Sequence, residues 1–170
     1  MIDRTPLLVI CDAGPLIHLD EVGCLDLLSD FPEVLVPPRV WQEVERHRPA
    51  ALVCPGINFK MVPPQHPENP ALEALSQVLT LHAGERQALH VALEYPSGLL
   101  LTDDTAARLA AGGLAIKSHG TLGILVRAIR RNQRSKEQIL SILRCMPEKS
   151  SLHLKRSLLD AVITEVEKSA

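Results

Sequence analysis

Residues 7–11, Leu-Leu-Val-Ile-Cys, form an unbroken apolar run that Asp12 stops at once. The pattern returns at Leu99-Leu100-Leu101, stopped after Thr102 by Asp103 and Asp104. A run this short and apolar at every position suits a strand covered on both faces, not one alternating between core and water. Val34-Leu35-Val36 is a third such run, closed by Pro37 and Pro38, which are tolerated at the opening of a helix. Strands buried on both faces need helices above and below. The chain is therefore constrained to α/β: a three-layer α/β/α sandwich around a central parallel sheet.

The segments between the runs read as those helices. Apolar spacing predicts helices over 16–28 (interrupted near Gly23), 39–47, 70–79, 83–95 and 103–111, the last closed by Gly112-Gly113. Further strands are predicted at 57–62 and 114–117, and further helices at 120–131, 135–145 and 151–168. Residues 48–70 are proline-rich and irregular. The alternating part spans residues 1–132, and residues 133–170 read as a helical pair appended to the same domain. Of the 170 residues 46% are hydrophobic but only 2% aromatic, so Leu, Val, Ile and Ala must fill the core. That again favours helices on a sheet over a β-sandwich.

Net charge is −2, which by itself points to no polyanion, but it is unevenly distributed. Residues 127–156 hold nine basic side chains, Arg127, Arg130, Arg131 and Arg134 among them, against only Glu137 and Glu148. Such a segment is either a contact for nucleic-acid phosphates or a solvated helical face. Four scattered cysteines show no zinc spacing and read as reduced thiols of a cytoplasmic protein. No signal peptide or membrane span is legible.

In a parallel sheet, chemistry gathers along the rim where strands end and helices begin. Asp12, Asp103 and Asp104 directly follow strands. Glu85 opens the helix leading into the Leu99–Leu101 strand, and Glu43 lies in the second turn after Val34–Val36. At about 100° per residue, Glu85 shares its face with Ala88, Leu89 and Ala92, and Glu43 borders the Val40–Val44 stripe. Carboxylates drawn inward together are costly unless something compensates, and Mg²⁺ or Mn²⁺ with oxygen ligands does so. Each acid also has a plainer reading. Asp12, Asp103 and Asp104 can be helix caps, Asp104 can pair with Arg108, Glu43 with Arg39 or His47, and Glu85 can favour its helix's positive end.

These residues carry a resemblance. Val9–Ile17, Val36–Val44, Ala83–Ala88, Leu99–Arg108 and Gly120–Leu125 resemble, in order, the segments of PIN-domain ribonucleases, within them a branch from prokaryotic toxin–antitoxin-like gene pairs. The resemblance covers residues 7–131. It implies an acidic Mg²⁺/Mn²⁺ site and hydrolysis of RNA phosphodiesters, with Asp12, Glu43, Glu85 and Asp104 matching the family's acids and Asp103 the extra acid of this branch. The metal would be held by Asp12, Glu85, Asp103 and Asp104. One departure stands out: Gly14 occupies a place where many members carry a hydroxyl or amide.

His119 and Thr121 follow the last predicted strand. Each can reach the rim or be, respectively, a loop histidine and a helix cap. Arg108 can orient a carboxylate or phosphate. The other histidines, His18 included, show no mutual metal spacing. The leading expectation is a metal-dependent endoribonuclease, the toxin of a toxin–antitoxin pair or a relative, with RNA as substrate. An antitoxin partner and a homodimer are expected from the family, the latter also from Leu140, Leu143, Leu158 and Leu159 on short terminal helices. The rivals are a non-catalytic PIN-like module binding RNA or protein, and a metal-dependent phosphatase or DNA nuclease.

Overall fold

The computed structural model describes residues 8–169, so Leu7, where the first predicted strand begins, lies outside them. Among the described residues, five strands form one all-parallel sheet: β1 (Val9–Cys11), β2 (Val34–Val36), β3 (Phe59–Met61), β4 (Leu99–Leu101) and β5 (Ser118–His119). Their spatial order is β3-β2-β1-β4-β5. β1, β2 and β4 are buried at every position, as runs without polar alternation require.

Flanking helices are α1 (Ala13–Glu21), α2 (Pro38–His47), α3 (Pro70–Leu79), α4 (Ala83–Glu94), α5 (Thr105–Gly113), α6 (Thr121–Arg130), α7 (Lys136–Lys149) and α8 (Arg156–Lys168). Each turns its apolar stripe to the sheet or to a neighbour: Ala88, Leu89, Val91 and Ala92 on α4, and Ile124, Leu125 and Ala128 on α6. At roughly 1.5–3 kcal/mol for each large aliphatic side chain removed from water, these stripes hold the layers together. None of the described helices is long and apolar enough to cross a membrane.

From β1 the chain builds outward through β2 to β3, then returns to place β4 on the other side of β1. That reversal opens a crevice at the carboxyl ends of β1 and β4, where doubly wound sheets hold ligands. The register pairs Cys11 with Leu101, which sets Asp12 beside Thr102.

Several predicted segments shift, and the helix predicted over 16–28 is α1 followed by a separate 3-10 segment, Leu25–Asp30. The last strand is Ser118–His119, not residues 114–117. Residues 114–116 are spent closing α5: the Leu114 amide donates to Ala110 and Ala111, Ala115 turns left-handed at φ 57°, and the Ile116 amide donates to Ala111 at 2.8 Å. Helix α7 runs past Cys145 to Lys149 with Pro147 inside it. The last helix starts only at Arg156, because the preceding residues are held elsewhere, as described below.

Leu140, Leu143 and Leu159 are buried within the monomer's own core, and only Leu158 is exposed. The apolar argument for a homodimer therefore loses three of its four residues.

Candidate active site

Asp12 caps α1. Its Oδ1 accepts the Ala13 amide at 2.8 Å, and its Oδ2 accepts the Thr102 hydroxyl at 2.8 Å from the end of β4. It is only 6% exposed. Burial first, and then the nearby Glu85 and Glu43, push its carboxyl up to about 7 against the two hydrogen bonds. Thr102 is fully buried and was not singled out from the sequence, though its place opposite Asp12 follows from the strand register.

Asp103 is held more fully still. Its Oδ1 accepts the Thr121 amide at 2.7 Å, and its Oδ2 takes the Thr121 hydroxyl at 2.6 Å and pairs with His18 Nδ1 at 2.7 Å. Thr121 thus reaches the rim as a donor to a carboxylate. A Cβ on Gly120 would stand 2.6 Å from Asp103 Oδ1, so that position has no room for a side chain while Asp103 stays in place. Asp104 caps α5, its Oδ1 accepting the Ala107 amide at 2.8 Å. The cap reading of Asp12 and Asp104 and their place at the rim are both true of the same atoms.

Glu85 turns back at the start of α4, where it accepts the His82 amide at 2.8 Å in a capping box. Its side chain is 13% exposed, in line with its inward face. Glu43 is more exposed than its stripe suggested. Buried Gly84 separates the two helices here: a Cβ on it would lie 3.3 Å from Glu43 Oε2 and 4.0 Å from Asp12 Oδ1.

All five acids line one cleft of about 600 Å³, together with Gly14, His18, His82, Ser151 and His153. His18 was missed because its partner Asp103 is 85 residues away. Gly14 adjoins the same pair, since a Cβ there would be 3.4 Å from His18 Cε1 and 3.7 Å from Asp103 Oδ2. The space beside Gly14 is bordered by the His18 imidazole, one helical turn later.

Residues 8–168 match a family model described as PIN domain, DUF3368. The chain belongs to the PIN-domain family. The match runs through both C-terminal helices. No curated protein matches the chain. PIN domains have a nuclease-type fold and are typically metal-dependent ribonucleases.

In this PIN domain the candidate basic contacts are mostly engaged elsewhere. Arg127 and Arg131 pair with Asp30 at 2.6 and 2.8 Å, and Arg134 with Asp26 at 2.7 Å. Arg127 also lies over the Phe31 ring. These are contacts to the 3-10 segment Leu25–Asp30 and its end, and none of the four arginines lines the cleft. Arg130 is exposed. His119 is largely exposed and also outside the cleft; partial burial of its ring, then Arg108, Arg130 and Arg127, hold its pKa below the usual value. Among the described residues no ion pair joins Arg108 to Asp104, although Arg108 approaches Gly120.

The residue set fits a hard divalent ion in kind. Its donors are carboxylate oxygens, and among the described residues none of the five acids pairs with Lys or Arg. As the side chains stand, no three such groups among the described residues are close enough together to hold one ion. The reason is visible in the hydrogen bonds: Glu85 is turned to His82, Asp103 to Thr121 and His18, and Asp104 to its own helix.

Proposed function

We propose that this PIN domain is a metal-dependent endoribonuclease. The observation that carries the reading is Asp12: a buried carboxylate with a raised pKa, at the sheet's reversal point, in a cleft whose other acids have no cationic partner from Lys or Arg. Caps and hydrogen bonds give Asp12, Asp103, Asp104 and Glu85 a structural role one by one, but they do not require five carboxylates to share one cleft without Lys or Arg beside them.

Asp12, fixed by Ala13 and Thr102, presents its remaining lone pairs to the cleft. Thr121 and His18 hold Asp103 in one orientation beside it. Asp104 keeps one oxygen free of its cap, while Glu43 and Glu85 enter from α2 and α4. Mg²⁺ or Mn²⁺ held by Asp12, Glu85, Asp103 and Asp104 would lower the pKa of a water and offset charge on the phosphate. Release of the Glu85 cap from His82 would complete the set.

Incubation of single-stranded RNA with the protein, with Mg²⁺, Mn²⁺ or EDTA, tests this. The expected result is internal cleavage that needs the metal and disappears in Asp12→Asn. Metal-independent cleavage, or none with any RNA, would sink the proposal. The committed hydrogen bonds of Glu85, Asp103 and Asp104 favour a second reading, a non-catalytic RNA-binding module, which predicts RNA binding without turnover. A role as the toxin of a toxin–antitoxin pair is part of the proposal. It predicts growth arrest on induction that Asp12→Asn relieves, and a small partner protein that suppresses it.

A further inference from the structure

The connection between α7 and α8, residues 150–155, is not helical, although the sequence suggested a helix from Ser151, and both Ser150 and Lys155 at its ends are extended. Glu21, at the end of α1, draws it in: Oε2 accepts the Ser150 hydroxyl at 3.0 Å and the Ser151 amide at 2.7 Å, and Oε1 accepts the Ser151 hydroxyl at 2.8 Å. Burial opposes ionisation of Glu21, but the Ser151 and Ser150 bonds and nearby His18 hold its carboxyl below the ordinary value.

Within this strap the side chains alternate. Leu152 and Leu154 pack against the core, while Ser151, His153 and Lys155 are exposed. Ser151, Leu152 and His153 form part of the wall of the acidic cleft. The same three residues also line an adjoining cavity of about 310 Å³, which continues past Leu154 to Arg156 and Leu159. The two hollows therefore meet along the strap. One end is acidic; the other carries Arg156, 80% exposed and held, among the described residues, only by an exposed i,i+4 pair with Asp160 at 3.2 Å, which an arriving phosphate can replace, with exposed Lys155 next to it.

A polyanionic strand whose one phosphate lies among carboxylates needs cations for its neighbouring phosphates, since unscreened acids would repel the rest of the chain. Arg127, Arg131 and Arg134 are paired to Asp30 and Asp26 and border neither hollow. Arg156 lines the far end of the adjoining cavity, and exposed Lys155 precedes it in the chain.

Resting on the nuclease reading above, we infer that residues 151–156 are the substrate track. An RNA strand leaving the acidic cleft runs along the strap, with His153 hydrogen-bonding its backbone and Lys155 and Arg156 contacting phosphates beyond the scissile bond. These contacts position the strand and read no base.

The experiment compares Asp12→Asn alone with Asp12→Asn carrying Lys155→Ala and Arg156→Ala, or Arg131→Ala and Arg134→Ala, in binding a fluorescent single-stranded RNA from low to high salt. The expected result is weaker binding in the Lys155/Arg156 variant, uniformly across sequences. Its log–log salt slope should be shallower by roughly 0.7 per lost phosphate contact, while the Arg131/Arg134 variant keeps the parental slope. Circular dichroism establishes that each variant is folded. An unchanged slope in the Lys155/Arg156 variant, or a slope lost only in the Arg131/Arg134 variant, overturns the track. A parallel cleavage assay of the wild type with Mg²⁺ separates the two failures: metal-dependent cleavage with an unchanged slope rejects the track alone, and absence of cleavage rejects the nuclease reading. Equal slopes on single-stranded DNA would support backbone contact without use of the 2′-hydroxyl.

Discussion

Asp12 concentrates the conflict between folding and function in one residue. Its folded pKa of about 7 lies above the ordinary 3.8, so the folded protein binds a proton that the unfolded chain has released between those values. Stability of the metal-free protein should therefore fall as pH climbs from about 4 to about 7, by an amount on the order of a few kcal/mol at ~1.4 kcal/mol for each pH unit crossed. Asp12→Asn removes the charge, and its amide can donate to the Thr102 hydroxyl that the carboxylate accepted from. Urea denaturation in EDTA should find the variant more stable than wild type at pH 8 and nearly equal at pH 4. A variant less stable at pH 8 would make Asp12 a structural residue. Gly120 is the second place where one residue decides. Adding a methyl there puts carbon 2.6 Å from Asp103 Oδ1 and forces that carboxylate away from Thr121. With misplacement of about 1 Å costing around a hundredfold, Gly120→Ala should cut RNA cleavage by about that factor. Unchanged turnover with a normal melting curve would show that Asp103 is not needed where it stands.

At the scale of elements, β1, β2 and β4 are legible because each is short, apolar at every position and followed closely by residues that end it. That pattern also places Asp12, Asp103 and Asp104 at the rim. β5 is not legible in the same way, since its two residues are polar and only partly covered, and its start depends on how α5 closes. The start of α8 is hidden for a different reason. Local sequence favours helix from Ser151, but Glu21, 130 residues earlier, captures that amide and hydroxyl and keeps the strap out of the helix. The His18–Asp103 pair is equally long-range, and Gly84 and Gly120 reveal their purpose only when neighbouring atoms are placed. The strap makes its own prediction. Glu21→Gln weakens charge-assisted hydrogen bonds that contribute roughly 1.5–3 kcal/mol each when intact, so hydrogen exchange at the amides of residues 151–154 should accelerate while that of β1 stays slow. Equal protection across the strap in both proteins would show that Leu152 and Leu154 alone keep it in place.

For the whole molecule, charge is arranged differently from its order along the chain. Three of the four arginines of residues 127–134 are folded onto Asp26 and Asp30, whereas the acids of four separate segments meet at the sheet's reversal point. Asp12 is the acid there whose charge burial opposes, and a divalent cation should act on global stability through it. A ligand bound only by the native state raises stability by about 2.7 kcal/mol at a hundred times its Kd. Because the ligating carboxylate must be deprotonated, binding has to displace the proton that Asp12 retains below about pH 7. The rise in melting temperature on adding Mg²⁺ or Mn²⁺ should thus be small at pH 5.5, grow through pH 7 and level off above it. In Asp12→Asn it should be reduced at every pH. Removing the metal with EDTA should return the wild type to its lower melting point without unfolding it at room temperature, since the core strands contain none of the ligands. A shift of equal size at pH 5.5 and pH 8.5, or one that survives in Asp12→Asn, would place the bound cation somewhere other than the cleft.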